Sequence, residues 1–285
     1  MSQIQSNDRF GSLGRRQFLA TSIAAAATLA AGPVLAAPAP IHTDADGLIA
    51  EEVKIPIKGG EIPGYCAYPA KGKDFSIIIV AHDVFGVNEQ TRDVVRRLAK
   101  LGYYAIAPYL FSRQGDVSKT TDELDIMRTV VGKIVDADIL SDVDSTVAFA
   151  KKAGKGDVKK LGITGFGWGG RVVWLYAAHE PKLRAGVSFY GFLQAPRDPQ
   201  GHAALVLASQ IKQPVLGLYG AKDDYIMESD ALTMKNGLAG NKKAEIDVFP
   251  GVKHGFMADD RASYDPKAAA DGWERMTVWF KNNGV

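Results

Sequence analysis

Leu161-Gly162-Ile163-Thr164-Gly165-Phe166-Gly167-Trp168-Gly169-Gly170 is the stretch on which the reading of this chain turns. An apolar run enters a glycine-rich turn, and an amphipathic stretch, Arg171 to His179, leaves it. That order spells strand, sharp turn and helix. A turn written G-x-nucleophile-x-G lets strand and helix approach closely and lifts its central residue above the sheet, toward a substrate. Gly165 and Gly169 fill the outer places. The central place, where Ser or Cys is expected, holds Gly167. The turn predicts an active-site shape, and its central residue has no side chain.

The sequence around this turn alternates strands and helices. Glu51–Ile57 and Gly64–Tyr68 predict an antiparallel hairpin. Ser76-Ile77-Ile78-Ile79-Val80 is a continuous apolar run, the mark of a strand buried on both faces. Helices are expected over Thr91–Leu101, Glu123–Val135, Ile139–Ala153, Ala231–Leu238 and Pro266–Asn282. Further strands are expected over Tyr103–Ala107, Val158–Thr164, Ala185–Tyr190, Val215–Tyr219 and Ile246–Phe249, with a loop over Leu110–Asp122. Such alternation predicts an α/β fold, a single domain over 48–285 built on one doubly wound, mostly parallel sheet.

Composition narrows the function. Lys and Arg number 34 against 32 Asp and Glu, and residues 1–36 hold Arg9, Arg15 and Arg16 against Asp8. The net charge of +2 therefore belongs to those 36 residues, and the remaining 249 sum to zero. No nucleic-acid footprint is expected from such a balance. Gly14-Arg15-Arg16-Gln17-Phe18-Leu19 is a twin-arginine pattern ahead of an apolar run ending near Ala31. Residues 1–36 read as a twin-arginine signal peptide cleaved after Ala36, and 37–47 as a tether. The expectations are passage through the twin-arginine export machinery, a periplasmic location and no stable membrane anchoring, because the apolar run falls short of the ~20 residues a span needs.

Four places carry candidate chemistry. Tyr219-Gly220-Ala221-Lys222-Asp223-Asp224 follows a strand, where an open α/β sheet sets functional groups. Asp223 reads equally as an acid orienting a histidine or as a turn-capping aspartate. Phe249-Pro250-Gly251-Val252-Lys253-His254 follows the last strand, and the chain order elbow, acid, histidine points to a catalytic His254. His82 and Asp83 follow the strand Ser76–Val80. Asp83 either points at the elbow or caps the helix near Thr91. The backbone N–H groups of Val84 and Trp168 are the candidate oxyanion donors. Cys66, the one cysteine, lies in an alternating strand and reads as a buried structural thiol. His179 and His202 read as surface residues. No spacing suggests a metal or cofactor.

Taken together, these motifs make the chain similar to the dienelactone hydrolase family, in its twin-arginine-exported branch. The similarity rests on His82-Asp83-Val84-Phe85-Gly86-Val87-Asn88, Pro108 with Leu110-Phe111, Gly165 to Gly170, Tyr219 to Asp223 and Gly251-Val252-Lys253-His254. It implies an α/β-hydrolase fold and a Cys-His-Asp triad acting on a lactone or small carboxylic ester. By that resemblance Asp223 and His254 are the acid and histidine, and Asp83 stands where an acidic residue helps control the thiol. Gly167 takes the cysteine's place. Arg128 matches an arginine that holds the substrate carboxylate, with a solvated helix arginine as the other reading. The second such arginine has no counterpart at Ala258, and Arg261 lies further on. Three functions are compatible with Gly167. They are a hydrolase using water, a non-catalytic binder of a small carboxylate or lactone, and a substituted form of a cysteine enzyme.

Overall fold

A computed structural model of the protein describes residues 40–119, 122–194 and 201–285. The signal reading of residues 1–36 lies outside them. The order is β1 (Leu48–Ile57), β2 (Gly60–Pro69), β3 (Phe75–Ala81), α1 (Glu89–Lys100), β4 (Tyr104–Pro108), α2 (Glu123–Thr129), α3 (Asp136–Lys152), β5 (Gly156–Phe166) and α4 (Trp168–His179). There follow β6 (Ala185–Phe189), α5 (Ala204–Leu207), β7 (Val215–Gly220), α6 (Glu228–Gly237), β8 (Ala244–Phe249) and α7 (Pro266–Asn282).

Eight strands form one sheet in the order β1-β2-β4-β3-β5-β6-β7-β8. β1, β2 and β4 pair antiparallel, and every pair from β4 to β8 is parallel. This is the α/β-hydrolase fold. The apolar run of β3 is buried from Ile77 to Ala81, as a strand with helices on both faces must be. Strand order reverses around β3 and β5, and the C-terminal ends of such strands form a crevice. That end carries the loop 82–88 and the elbow.

Local chemistry sets the helix ends. Asn88 caps α1 by accepting from the Thr91 N–H at 3.0 Å, and Asp265 caps α7 with Pro266 in its first turn. The helix expected over Glu123–Val135 is shorter: α2 stops at Thr129, a 3₁₀ turn covers Val131–Lys133, and α3 begins at Asp136 rather than Ile139. The β-branched run Thr129-Val130-Val131 and then Gly132 weaken the helix, and the Thr129 hydroxyl bonds back to the Asp125 carbonyl. The described part of the expected tether, 40–47, is held down. The Ile41 N–H donates to Asp259, the Thr43 N–H to Asp93, and the Arg96 guanidinium to the Thr43 carbonyl.

Helix α4 is buried from Trp168 to Ala177, so its one cation needs a partner inside the protein. Arg171 finds it in Asp136, at the start of α3, through two hydrogen bonds of 2.7 Å, and donates a third to the His202 carbonyl. Asp136→Ala should strand this cation and lower stability by about 3–5 kcal/mol. Asp136→Leu with Arg171→Met, which removes both charges, should recover most of that loss. Urea midpoints of the two variants check this.

Candidate active site

The elbow is built by backbone meeting backbone. A methyl group on Gly165 would lie 2.3 Å from the Gly169 carbonyl oxygen, and one on Gly169 would lie 2.1 Å from the Ala81 oxygen. Only glycine permits this approach of α4 to the ends of β5 and β3. Gly167 differs. It sits at φ +52° and ψ −110°, and a methyl group there would meet only His254 Nε2 at 3.6 Å and the Asp83 Cβ at 4.0 Å. Its backbone is strained for other residues, yet the space beside it is open.

His254 faces that space. Its Nδ1 lies 2.7 Å from Asp223 Oδ2. Since the carboxylate accepts, Nδ1 carries a proton, and in the neutral ring Nε2 presents its lone pair toward Gly167. The Asp223 side chain is fully buried, and its Oδ1 accepts the Tyr225 and Ile226 N–H groups at 2.8 and 2.9 Å. The two readings of Asp223 are thus one arrangement: one oxygen caps the turn and the other orients the histidine. Tyr190 and Tyr225 stand with ring centroids 4.9 Å from the imidazole, and Phe192 stands at 5.7 Å. Tyr190 holds a positive φ of 39° just past β6. Burial pushes its phenol far above the ordinary range, so it stays protonated.

The loop after β3 closes the other side. Asp83 Oδ1 accepts the Phe85 N–H at 2.8 Å, so it caps its own loop and not α1, which Asn88 caps. Its second oxygen accepts from Arg261, whose guanidinium lies 4.4 Å over the Phe85 ring. Burial works to lower the basicity of Arg261, but the charge and hydrogen bond of Asp83 outweigh it and hold the guanidinium above its usual range. Sequence reasoning set Arg261 aside as too distant from His254. Successive tight turns, Ala258 N–H to Gly255, Arg261 N–H to Ala258 and Tyr264 N–H to Arg261, fold that stretch back over the site. Spacing along the chain overstated the distance.

Buried His82 fixes the loop. The Leu110 N–H can only donate, so it takes the Nε2 lone pair at 3.1 Å, and Nδ1–H donates to the Asp83 carbonyl at 2.7 Å. Burial lowers the pKa of this imidazole, in keeping with a neutral ring. The ring also stacks on Trp168 at 5.7 Å, so one side chain touches both segments that carry the candidate oxyanion donors. The Trp168 N–H opens α4, where helical geometry provides no acceptor, and the Val84 N–H meets none among the described residues.

The other sequence candidates lie elsewhere. Arg128 is four-fifths exposed on α2 and pairs with Asp125, the solvated-helix arrangement. His179 pairs with Asp144 at the surface, and His202 is exposed. Cys66 is buried in β2, with β4 and β3 between it and β5. Among the described residues no group of three or more His, Cys, Asp or Glu side chains is arranged to hold a metal ion. None of their helices is long and apolar enough to cross a membrane. Sequence reasoning missed Tyr190, Phe192 and Tyr225. The only signal was that each follows a strand end.

Comparison with known proteins finds relatives over most of the chain. A sequence model of the Dienelactone hydrolase family matches residues 62–284. A protein of Methylorubrum extorquens named "Putative carboxymethylenebutenolidase" is 49% identical over 280 residues, covering 96% of this chain and 94% of its own. One of the same name from Escherichia coli K12 is 42% identical over 252 residues, covering 86% and 91%. The crystal structure of a "Putative Dienelactone Hydrolase" from Klebsiella pneumoniae superposes with a TM-score of 0.79 at 44% identity, covering 82% of this chain and 98% of that one.

Burial pushes the Cys66 thiol up to about 12, far from the range in which a thiolate attacks. At about pH 8 the native protein should therefore leave Ellman's reagent uncoloured, and unfolding in concentrated guanidinium should release the one thiol. Rapid reaction of the native protein would place Cys66 in an activated setting after all.

Proposed function

Because the chain belongs to the dienelactone hydrolase family, we propose that it hydrolyses a lactone or small carboxylic ester, with water doing the work of the missing elbow side chain. The observation that carries this reading is the Asp223–His254 pair at 2.7 Å, with Nε2 facing the open space beside Gly167. A water there gives a proton to Nε2 as its oxygen bonds to the acyl carbon. The Val84 and Trp168 N–H groups hold the oxyanion, and Asp223 stabilises the imidazolium. Nε2–H then protonates the leaving alkoxide as the C–O bond breaks. Ester and water become acid and alcohol, with no acyl-enzyme. Arg261, above Phe85, is the cation placed to meet a substrate carboxylate. The twin-arginine pattern at Arg15-Arg16 supports work in the periplasm as an exported member of the family.

Hydrolysis of p-nitrophenyl acetate tests the reading. Enzymes stripped of their nucleophile keep ~10³–10⁴-fold acceleration over water from the oxyanion hole and binding. A weak activity of that order should appear and should fall to background in His254→Ala. Saturable binding of a small carboxylate with no turnover would favour a binder instead. Gly167→Cys should raise turnover by placing a thiol beside His254. Its positive φ should cost about 1–3 kcal/mol of stability, seen as a lower Tm.

Export has its own check. The protein isolated from periplasm should begin within a few residues of Ala37 by mass spectrometry. Intact Met1 on membrane-embedded material would refute it.

A further inference from the structure

The elbow holds glycines of two kinds. Methyl groups on Gly165, Gly169 and Gly170 would come within 2.1–2.6 Å of backbone atoms, so packing requires glycine there. A methyl group on Gly167 would make only ordinary contacts, at 3.6 Å to His254 Nε2 and 4.0 Å to the Asp83 Cβ. Packing therefore leaves room at Gly167 for a small group, and the groups around it suit a particular chemistry. The Nε2 lone pair faces it, with Nδ1–H fixed on a buried carboxylate. The N-terminus of the twelve-residue helix α4 opens at it and favours negative charge. Tyr190, Tyr225 and Phe192 surround the imidazole with apolar ring surface.

We infer that this space is an acceptor site for a small diffusible thiol, and that the protein transfers acyl groups from esters to it. The inference rests on the ester-cleaving reading above and changes the acceptor from water to sulfur. A cysteine thiol ionises at about 8.5 and a simple alkanethiol somewhat above that, still far closer to imidazole at about 6.5 than water near 15.7. A histidine paired with a buried carboxylate can hold a thiolate as an ion pair before attack. It cannot hold a hydroxide so. One carbon and one sulfur are also the atoms that a cysteine would carry at this position, so a one-carbon thiol has the matching size.

The step balances. The S–H proton passes to His254 Nε2, and sulfur bonds to the acyl carbon while the Val84 and Trp168 N–H groups hold the oxyanion. The C–O bond to the alcohol then breaks, and Nε2–H returns the proton to the departing oxygen. Ester and thiol become thioester and alcohol, and nothing is oxidised or reduced.

The test is p-nitrophenolate release from p-nitrophenyl acetate by the full chain, titrated with methanethiolate or with 2-methyl-2-propanethiolate, whose sulfur sits on a branched carbon. Mass spectrometry follows the thioester. Methanethiolate should raise the rate at least about tenfold and saturate, as expected of a bound and oriented reactant, with S-methyl thioacetate as product. The branched thiol should do neither. His254→Ala and Gly167→Ala should lose the saturable part. His254→Ala leaves the backbone of the elbow untouched, which keeps the test valid if the alanine variant at Gly167 unfolds. A linear rise of equal slope in His254→Ala would be reaction in solution and would overturn the inference. Hydrolysis without any thiol effect would overturn it and leave the water reading standing, and absence of both would remove both. Thiol-dependent turnover with no hydrolysis in its absence would support the acceptor site and remove the water reading.

Discussion

The contact of the Gly169 backbone with the Ala81 and His82 carbonyls is the constraint on which the site depends. It brings the first turn of α4 against the end of β3. The first N–H of the helix and the loop 82–88 thereby come to one crevice. Any side chain at Gly169 would push the helix away from the end of β3, and the two candidate oxyanion donors would part. Glycine here lowers the helix propensity of α4, and tertiary burial of that helix offsets the loss. The buried Arg171–Asp136 pair then secures the same helix to α3 from its other side.

Around this frame two acid–base pairs divide the work. Asp223 and His254 form one pair, in the loops after β7 and β8 and facing the elbow. Asp83 and Arg261 form the second, joining the β3 loop to the turns after His254. Both carboxylates spend their remaining oxygen on backbone N–H groups of their own loops. That shared economy has a physical reason: a carboxylate removed from water needs each oxygen satisfied, and nearby N–H groups supply this at small conformational cost. The second pair also places a cation over Phe85.

The glycine at position 167 reverses the usual relation between strain and function. An elbow stores backbone strain in order to present a nucleophile. Here the turn keeps the strained geometry, φ +52°, with a residue that is little strained by it. What the turn presents is space bounded by a base, a carboxylate and a helix N-terminus.

The amino-acid sequence by itself determined the sheet and the order of the site. The apolar run Ile77–Val80, the glycine spacing 165-167-169 and the succession elbow, Asp223, His254 are local patterns, and local patterns follow from periodicity and sterics that neighbours in the chain can express. It also marked Cys66 as a strand residue and Val84 and Trp168 as positions next to the crevice. Tertiary structure alone decided the rest. Arg261 reaches Asp83 because three tight turns shorten the path, and a separation along the chain carries no such information. Tyr190, Phe192 and Tyr225 surround His254 because three strand ends converge, and the residues of any one loop do not encode that convergence. Arg128, plausible from its place in the order, faces solvent on α2 and pairs with Asp125 of the same helix. Likewise, only packing distinguishes Gly167 from the glycines beside it. All are the same letter in the sequence, and the difference lies in which backbone stands opposite each Cα.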